Sequence, residues 1–256
     1  TGVANTLIGA LAGDALTTGN NNVAIGHEAL GAEIQGDQNV AVGVGALQAQ
    51  SNSSDTDVFN TAVGYNAGLS VTTGKHNTLI GARSGDALTE GQYNVSIGDQ
   101  SLSADTKGSR SVAVGYGALN PQNFTSATDA YNIGIGYTAG NALSTGVNNV
   151  LVGGLAGDAI TTGDHNIAIG KDAIHANTAG NKSIGIGSSA LYSQNITSDS
   201  DGYNVAVGFN AGYNLSTGTE NTLIGSQVAS GDTITGANNT CVGYQSGHGL
   251  TSGGNN

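Results

Sequence analysis

The side chains that could perform chemistry in this sequence are few and lie far apart. The five histidines are His27, His76, His165, His175 and His248. They share no common spacing, and a metal site needs several convergent donors, so we interpret them as exposed turn residues. The single cysteine, Cys241, has no neighbouring base or helix start to activate it, and we interpret it as a small buried apolar residue. We therefore expect no catalytic residue, no transition metal and no cofactor, and hence no enzyme.

Carboxylates occur together in three segments that interrupt the pattern described below. Asp55 and Asp57 lie in the first segment, Asp129 in the second, and Asp199 and Asp201 in the third. Two carboxylates on one loop, helped by backbone carbonyls, could bind Ca²⁺. Because the middle segment has only one, we favour capping of Asx turns over a calcium site.

Composition excludes several classes of protein. Glycine accounts for 43 of the 256 residues, whereas aromatic residues are 5% and charged residues 9% of the chain. The net charge of −12 makes nucleic acid and anionic membrane surfaces poor partners. No apolar run approaches the length that would insert into a membrane. A thin core of Ala, Val, Ile and Leu with many tight turns remains.

The elements that must position these residues are copies of one short repeat. Each copy reads Asn-x-small-[Ile/Val]-Gly, then variable residues, a small residue, a lone Leu or Ile, and a Thr-Gly corner. Most copies have 17 residues and every fourth has 21, which gives a super-period of 72. Numbered as position 0, their first residues are Asn5, Asn22, Asn39, Asn60, Asn77, Asn94, Ser111, Asn132, Asn149, Asn166, Ser183, Asn204, Asn221 and Asn239. Such short units must stack to bury an apolar face.

The repeat predicts an all-β fold, a parallel β-solenoid of about 14 coils forming one domain over residues 1–256. Positions 1 and 3 carry Val, Ile or Thr in every copy, which is typical of a short strand. We expect these two positions to face the coil interior. A Leu or Ile at position 8 or 11 then closes the coil from the other side.

Position 2 is small in most copies and Leu once per super-period. Since positions 1 and 3 are assigned to the interior, position 2 should lie on the outer face. A small-residue stripe with periodic leucines indicates close packing against another sheet, and we expect a second copy of the chain to supply it. The predicted inter-chain residues are Leu7, Leu79, Leu151 and Leu223.

The 21-residue copies contain insertions at 48–59, 120–131 and 192–203. Insertions in solenoids usually mark a variable face, so we expect receptor contact there. The candidate contact residues are Phe59, Phe124, Tyr131, Tyr192 and Tyr203.

Several copies resemble a known family. Residues 21–26, 110–115, 165–170 and 182–187 resemble the Asn-Ser-Val-Ala-Ile-Gly unit of YadA-like heads in trimeric autotransporter adhesins. Residues 64–68 followed by 72–74 are similar to repeats of phage tail-fibre proteins that share this unit. The resemblance implies a left-handed β-roll, a parallel homotrimer and a surface-binding fibre without catalytic residues. This chain departs from the adhesin head in its longer repeat and its super-period.

These observations favour a structural fibre or adhesin, most consistent with a segment of a phage or viral tail fibre that gives reach and host attachment. The expected partners are other copies of the chain and a host cell-surface glycan or protein. The expected location is extracellular, on a virion tail fibre or a cell surface. The alternative is a bacterial surface adhesin or a head-to-tail filament, and paired threonines such as Thr17-Thr18 leave an ice-binding solenoid as a third interpretation. Because Thr1-Gly2 already forms a corner and Asn256 already fits position 0, we expect the chain to belong to a longer fibre.

Overall fold

The computed structural model describes residues 2–54 and 56–256 and divides them into two compact units, Thr1–Ala130 and Tyr131–Asn256. Each unit is a parallel β-solenoid whose described residues form seven coils. The prediction of an all-β parallel solenoid with about 14 coils is therefore confirmed.

In the first unit, the strands that build the main sheet occupy positions 1 to 3 of each coil. They are β1 Thr6–Ile8, β2 Val23–Ile25, β4 Val40–Val42, β6 Thr61–Val63, β7 Thr78–Ile80, β8 Val95–Ile97 and β10 Val112–Val114. Four shorter strands form two side pairs: β3 Gly36–Asp37 with β5 Thr56–Asp57, and β9 Gly108–Ser109 with β11 Thr128–Asp129.

The second unit repeats this arrangement. Its main strands are β12 Ile133–Ile135, β13 Val150–Val152, β14 Ile167–Ile169, β16 Ile184–Ile186, β18 Val205–Val207, β19 Thr222–Ile224 and β20 Thr240–Val242. One side pair joins β15 Gly180–Asn181 to β17 Ser200–Asp201. Within each unit, consecutive main strands pair in parallel and in register, so that Ala24 lies between Leu7 and Ala41. Equivalent residues therefore form straight columns along each solenoid.

Position 2 points into the coil and positions 1 and 3 point outwards, which reverses the orientation expected from the sequence. Leu79 at position 2 is fully buried, whereas Ile80 beside it is 37% exposed. The cause is the thinness of the roll. A Cβ added to Gly185, at position 2, would lie only 3.1 Å from the backbone oxygen of Ala190 across the coil. The inner face therefore accepts mainly Ala, Gly and Ser, and the β-branched side chains remain outside.

The super-period arises from how this narrow interior is filled. A leucine at position 2 lies against a glycine at position 8, because a Cβ on that glycine would come within 2.6–2.8 Å of a leucine methyl carbon. The pairs are Leu7 with Gly13, Leu79 with Gly85 and Leu151 with Gly157 within one coil, and Leu223 with Gly212 of the preceding coil. In six other coils position 2 is small and a large residue at position 8 fills the space, namely Leu30, Leu47, Leu102, Leu119, Ile174 and Leu191. In the coils that begin at Asn60, Asn132 and Asn204, positions 2 and 8 are both small, and the buried side chains of Val71, Leu143 and Leu215 at position 11 fill the space. The bulk of these coils thus comes from position 2, 8 or 11.

Two columns of backbone-directed residues hold neighbouring coils together. At position 0, Asn22 donates its backbone N–H to Asn5 Oδ1 at 2.9 Å and its side-chain amide to Gly36 O at 2.9 Å. Equivalent bonds recur along both units, and these buried amides satisfy one another. At position 4, Gly81 has φ +128°, and an added Cβ would lie 2.6 Å from the carbonyl of Gly98 in the next coil. Only glycine fits both the backbone conformation and the coil spacing there.

Candidate interaction surfaces

The outer face of the main strands is an apolar surface in each unit. We call the side chains at positions 1 and 3 of these strands the strand face, and every one is Val, Ile or Thr. Position 3 keeps 36–41% of its surface exposed at Val63, Ile80, Ile135 and Ile224. A continuous β-branched stripe along seven coils is larger than the scattered apolar side chains of an ordinary protein surface. Such a stripe indicates an interaction site.

The leucines predicted to form an inter-chain interface do not lie on this surface. Leu79 and Leu151 are fully buried and Leu223 is 1% exposed within the single chain. Leu7 is 42% exposed, although it belongs to the same inner column. The assignment of these four residues to an inter-chain face is wrong, because side chains at position 2 point into the coil interior. The outward β-branched residues are the ones available to another chain.

Aromatic and basic side chains stack in a column at the corner beside the strand face. We call the residues at position −1, directly before each position 0, the corner column. In the first unit the rings of Phe59 and His76 stack with centroids 5.3 Å apart, and those of His76 and Tyr93 at 4.8 Å. The Arg110 guanidinium carbon lies 5.2 Å from the centroid of Tyr93 and so extends the column by a cation–π contact.

The corner column of the second unit contains two more receptor-contact candidates, Tyr131 and Tyr203, which are about half exposed. Lys182 Nζ lies 5.3 Å from the ring centroid of Tyr203 and 2.8 Å from Asp201 Oδ2. Lys182 and then Tyr203 hold the pKa of Asp201 below its ordinary value by hydrogen bonding to the carboxylate. These residues form an exposed cluster of an aromatic ring, a cation and a carboxylate.

A second aromatic column runs along the side of the second unit. Tyr192, another receptor-contact candidate, stacks between His175 at 4.7 Å and Tyr213 at 4.8 Å. All three are half-buried at position 9 of consecutive coils. Straight columns of equivalent positions bring together residues about 17 to 21 apart in sequence. Aligning the repeats with one another would therefore have shown these three aromatic residues at one position.

The insertions are tied to the preceding coil by side pairs such as Thr128 with Gly108 and Asp129 with Ser109. Phe124, predicted to contact a receptor, is only 6% exposed. Its backbone N–H donates to Asp105 Oδ1 at 3.0 Å, which fixes the start of the second insertion against the coil before it. Phe124 is therefore a buried residue of the insertion, and its assignment to receptor contact is wrong.

Sequence reasoning missed two buried carboxylates that organise the insertions. Glu33 Oε1 accepts the N–H groups of Gly36 at 2.7 Å and Asn52 at 3.0 Å, and its Oε2 accepts the amide of Gln50 at 2.7 Å. Both Glu33 and Gln50 are fully buried. A carboxyl side chain can be buried there because several donors surround it.

The equivalent carboxylate in the next super-period is Asp105, which is also fully buried. Gly108 N–H at 3.0 Å and the Gln122 amide at 2.6 Å donate to it. Burial raises the pKa of Asp105 above its ordinary value, and hydrogen bonds from Gln122 and the backbone oppose that shift. The third super-period has the neutral Asn177 instead. The spacing of 72 between these three residues was the available signal.

The exposed carboxylates of the insertions bind side chains of the chain itself. Asp57 accepts the amide of Gln38, and Asp129 lies 3.4 Å from Arg110. Asp55 lies outside the described residues. Within residues 2–54 and 56–256, no group of three or more His, Cys, Asp or Glu side chains is arranged to hold a metal ion.

Two further sequence interpretations can be placed. Cys241 lies at position 2, 9% exposed, and burial raises the pKa of its thiol. The interpretation of Cys241 as a buried apolar residue is confirmed. The threonine hydroxyls at position 12 bond to backbone carbonyls of the next coil, as Thr72 Oγ1 does to Thr89 O at 3.1 Å. This column is therefore engaged in coil stacking, which disfavours an ice-binding array.

Comparison with protein-family models, curated proteins and solved structures gives no significant match. The resemblance to YadA-like heads consequently stays a prediction from the repeat motif. In the described part of the chain, no helix has the length and apolar character needed to cross a membrane.

Proposed function

We propose that this chain is a segment of a structural fibre or adhesin that self-associates through its strand face and attaches to a host surface. The observation that carries the proposal is the strand face itself. In each unit it presents Val, Ile and Thr on seven consecutive coils, at the side of the sheet opposite the filled interior.

Self-association follows from the repetition of this face. Every copy of the chain has the same stripe, so a cyclic arrangement whose axis runs along the strand face of a unit lets each copy bury the stripe against its neighbours. We take the number of three copies, and the parallel arrangement, from the resemblance to YadA-like heads. The longer repeat with its Thr-Thr-Gly corner favours the tail-fibre form of that family. Attachment is assigned to the exposed corner column and the insertions beside it.

The test is the mass of the assembly in solution. We expect the wild-type chain to sediment at three times its mass of 25.1 kDa, and Ile80→Lys to sediment as a monomer because a buried, unpaired charge opposes association. Thr73→Lys is the matched control, because it adds the same charge at an exposed corner position. A monomeric wild type, or an Ile80→Lys variant that stays trimeric, would contradict the proposal.

A further inference from the structure

A cleft of about 340 Å³ opens beside the second insertion, with all of its lining residues in the first unit. Such a volume lies in the range of about 300–1,000 Å³ that is typical of small-molecule sites. Its polar lining consists of Gln92, Tyr93, Ser109, Arg110, Thr128 and Asp129. Two of these residues belong to the corner column, and Thr128 and Asp129 form the insertion strand β11.

One lining residue, Ser109, which we call the floor residue, distinguishes this cleft from the equivalent places in the other super-periods. The three floor residues are Asp37, Ser109 and Asn181, 72 residues apart. Each accepts the backbone N–H of the residue 17 positions earlier, as Ser109 Oγ does from Gln92 at 3.0 Å. Asp37 and Asn181 are both 8% exposed, whereas Ser109 is half-buried. Serine makes the same bond with a smaller side chain, which occupies less of the cleft.

The polar groups of the cleft match a polyhydroxylated ligand. Arg110 Nη1 lies 3.4 Å from Asp129 Oδ1, so donors and acceptors stand side by side and their charges compensate. Adjacent hydroxyl groups of a sugar each donate and accept, and therefore suit this pair better than a single charge would. The arginine and aspartate side chains keep 37% and 52% of their surface exposed. An exposed ion pair of this kind is weak, so a ligand can replace it at little cost.

Tyr93 supplies the apolar part of the cleft. It is 50% exposed, and its ring is flanked by His76 on one side and Arg110 on the other. The exposed edge of the phenol ring is therefore the surface that a ligand would contact. Stacking on both sides also fixes the ring, which reduces the entropy lost when a ligand binds.

We propose that this cleft binds a neutral saccharide. The inference rests on the proposed attachment function and names the ligand class at one of its sites. Because the equivalent places in the other two super-periods differ in floor and corner residues, saccharide binding is assigned to the second copy alone.

The experiment applies the full chain to a printed array of neutral and acidic glycans, and hits are measured again by isothermal titration calorimetry. We expect neutral glycans to bind. Ser109→Asp introduces the carboxyl group that Asp37 has at the equivalent place in the first super-period, and Arg110→Gln introduces the amide that Gln38 has there. Each change should weaken binding at least about tenfold, or 1.4 kcal/mol. Lys182→Gln, in the third copy, is the matched control and should bind as tightly as the wild type.

Absence of any neutral hit, binding of acidic glycans alone, or unchanged affinity in both Ser109→Asp and Arg110→Gln would overturn the proposal. Thermal melting followed by circular dichroism establishes whether each variant is folded. If one cleft variant does not fold, the other still tests the proposal. The sedimentation mass distinguishes failure of the saccharide proposal from failure of the proposed self-association. A trimer that binds no glycan contradicts only the cleft assignment, whereas a monomer that binds one contradicts only self-association.

Discussion

Leu79→Ala tests whether position 2 fills the interior of the coil. Leu79 is fully buried, and its methyl groups lie against Gly68 and Gly85, where an added Cβ would come within 2.7 and 2.8 Å. Those glycine backbones are held by coil-to-coil hydrogen bonds and cannot move in to fill a cavity. We therefore expect a loss of about 2–5 kcal/mol, which corresponds to a fall in Tm of about 5–15 °C for a chain of this size.

The matched control is Ile80→Ala, which removes the same number of carbon atoms from the neighbouring residue. Ile80 points outwards and is 37% exposed in the single chain, so its truncation should cost about 1 kcal/mol or less when the protein is monomeric. In an assembled fibre the same change should weaken association, and its effect on Tm should then depend on protein concentration.

A compensating substitution makes the test sharper. Gly85→Leu alone should be destabilising because its side chain would collide with Leu79. Combined with Leu79→Ala, it places leucine beside alanine, as Leu47 at φ +50° lies beside Ala41, and removes the collision with Leu79. The tight contact with Leu88 remains, because Leu88 occupies position 11 where the Leu47 coil has Gln50. The double variant should therefore recover part of the stability lost by each single variant. Thermal and urea unfolding followed by circular dichroism measure all four proteins. Additive losses, or a larger loss for Ile80→Ala than for Leu79→Ala in the monomer, would refute the inward orientation.

Two further changes probe the backbone column and the buried carboxylate. Gly81→Ala should cost at least about 2 kcal/mol, because its Cβ meets the next coil at φ +128°, whereas Gly154→Ala, whose Cβ has no neighbour closer than 4.0 Å, should be neutral in the same unfolding assay. Burial raises the pKa of Asp105, so its protonated form is favoured in the folded state, and its contribution to stability is greatest at acidic pH and falls as pH rises through the folded pKa. Asp105→Asn should accordingly raise Tm at pH 7 and have a smaller effect at acidic pH, and a variant whose Tm difference from wild type does not change with pH would contradict this.

The repeat alone was enough to predict the solenoid, because a short β-branched segment followed by glycine and a corner can bury its apolar face only by stacking. The position-0 asparagines were also identified from their spacing, and in the structure they form a side-chain ladder. Which side chains of the strand face the interior was not predicted correctly. Alternation with β-branched residues usually marks a core, but here the coil is so thin that bulky residues at two positions in three would not fit inside it.

The candidate site was predicted only in part. The super-period located the insertions and the exposed rings of Phe59, Tyr131 and Tyr203, but it could not separate these from the buried Phe124. That separation depends on the backbone N–H of Phe124, which bonds to Asp105 and draws the residue inwards. A buried carboxylate that accepts backbone N–H groups from an inserted loop has no sequence signature in a single copy. It becomes visible when Glu33, Asp105 and Asn177 are aligned at their common spacing.

The packing of the interior also determines where variation is possible on the outside. Coils with leucine or isoleucine at position 8 have a polar residue at position 11. In the first two super-periods these polar residues bond to each other, as Gln50 does to Glu33 and Gln122 does to Asp105. The insertion begins in the second coil of each such pair. Its backbone N–H groups donate to the buried polar side chain of the first coil, as Asn52 N–H does to Glu33. Each super-period therefore builds a comparable scaffold, with an insertion strand paired to the coil before it. The floor residue is attached to that scaffold by one backbone hydrogen bond, which serine satisfies as well as aspartate or asparagine. Substitution at this position can open or close a cleft without disturbing the coil, and this is why Ser109 is the residue on which the assignment of ligand binding depends.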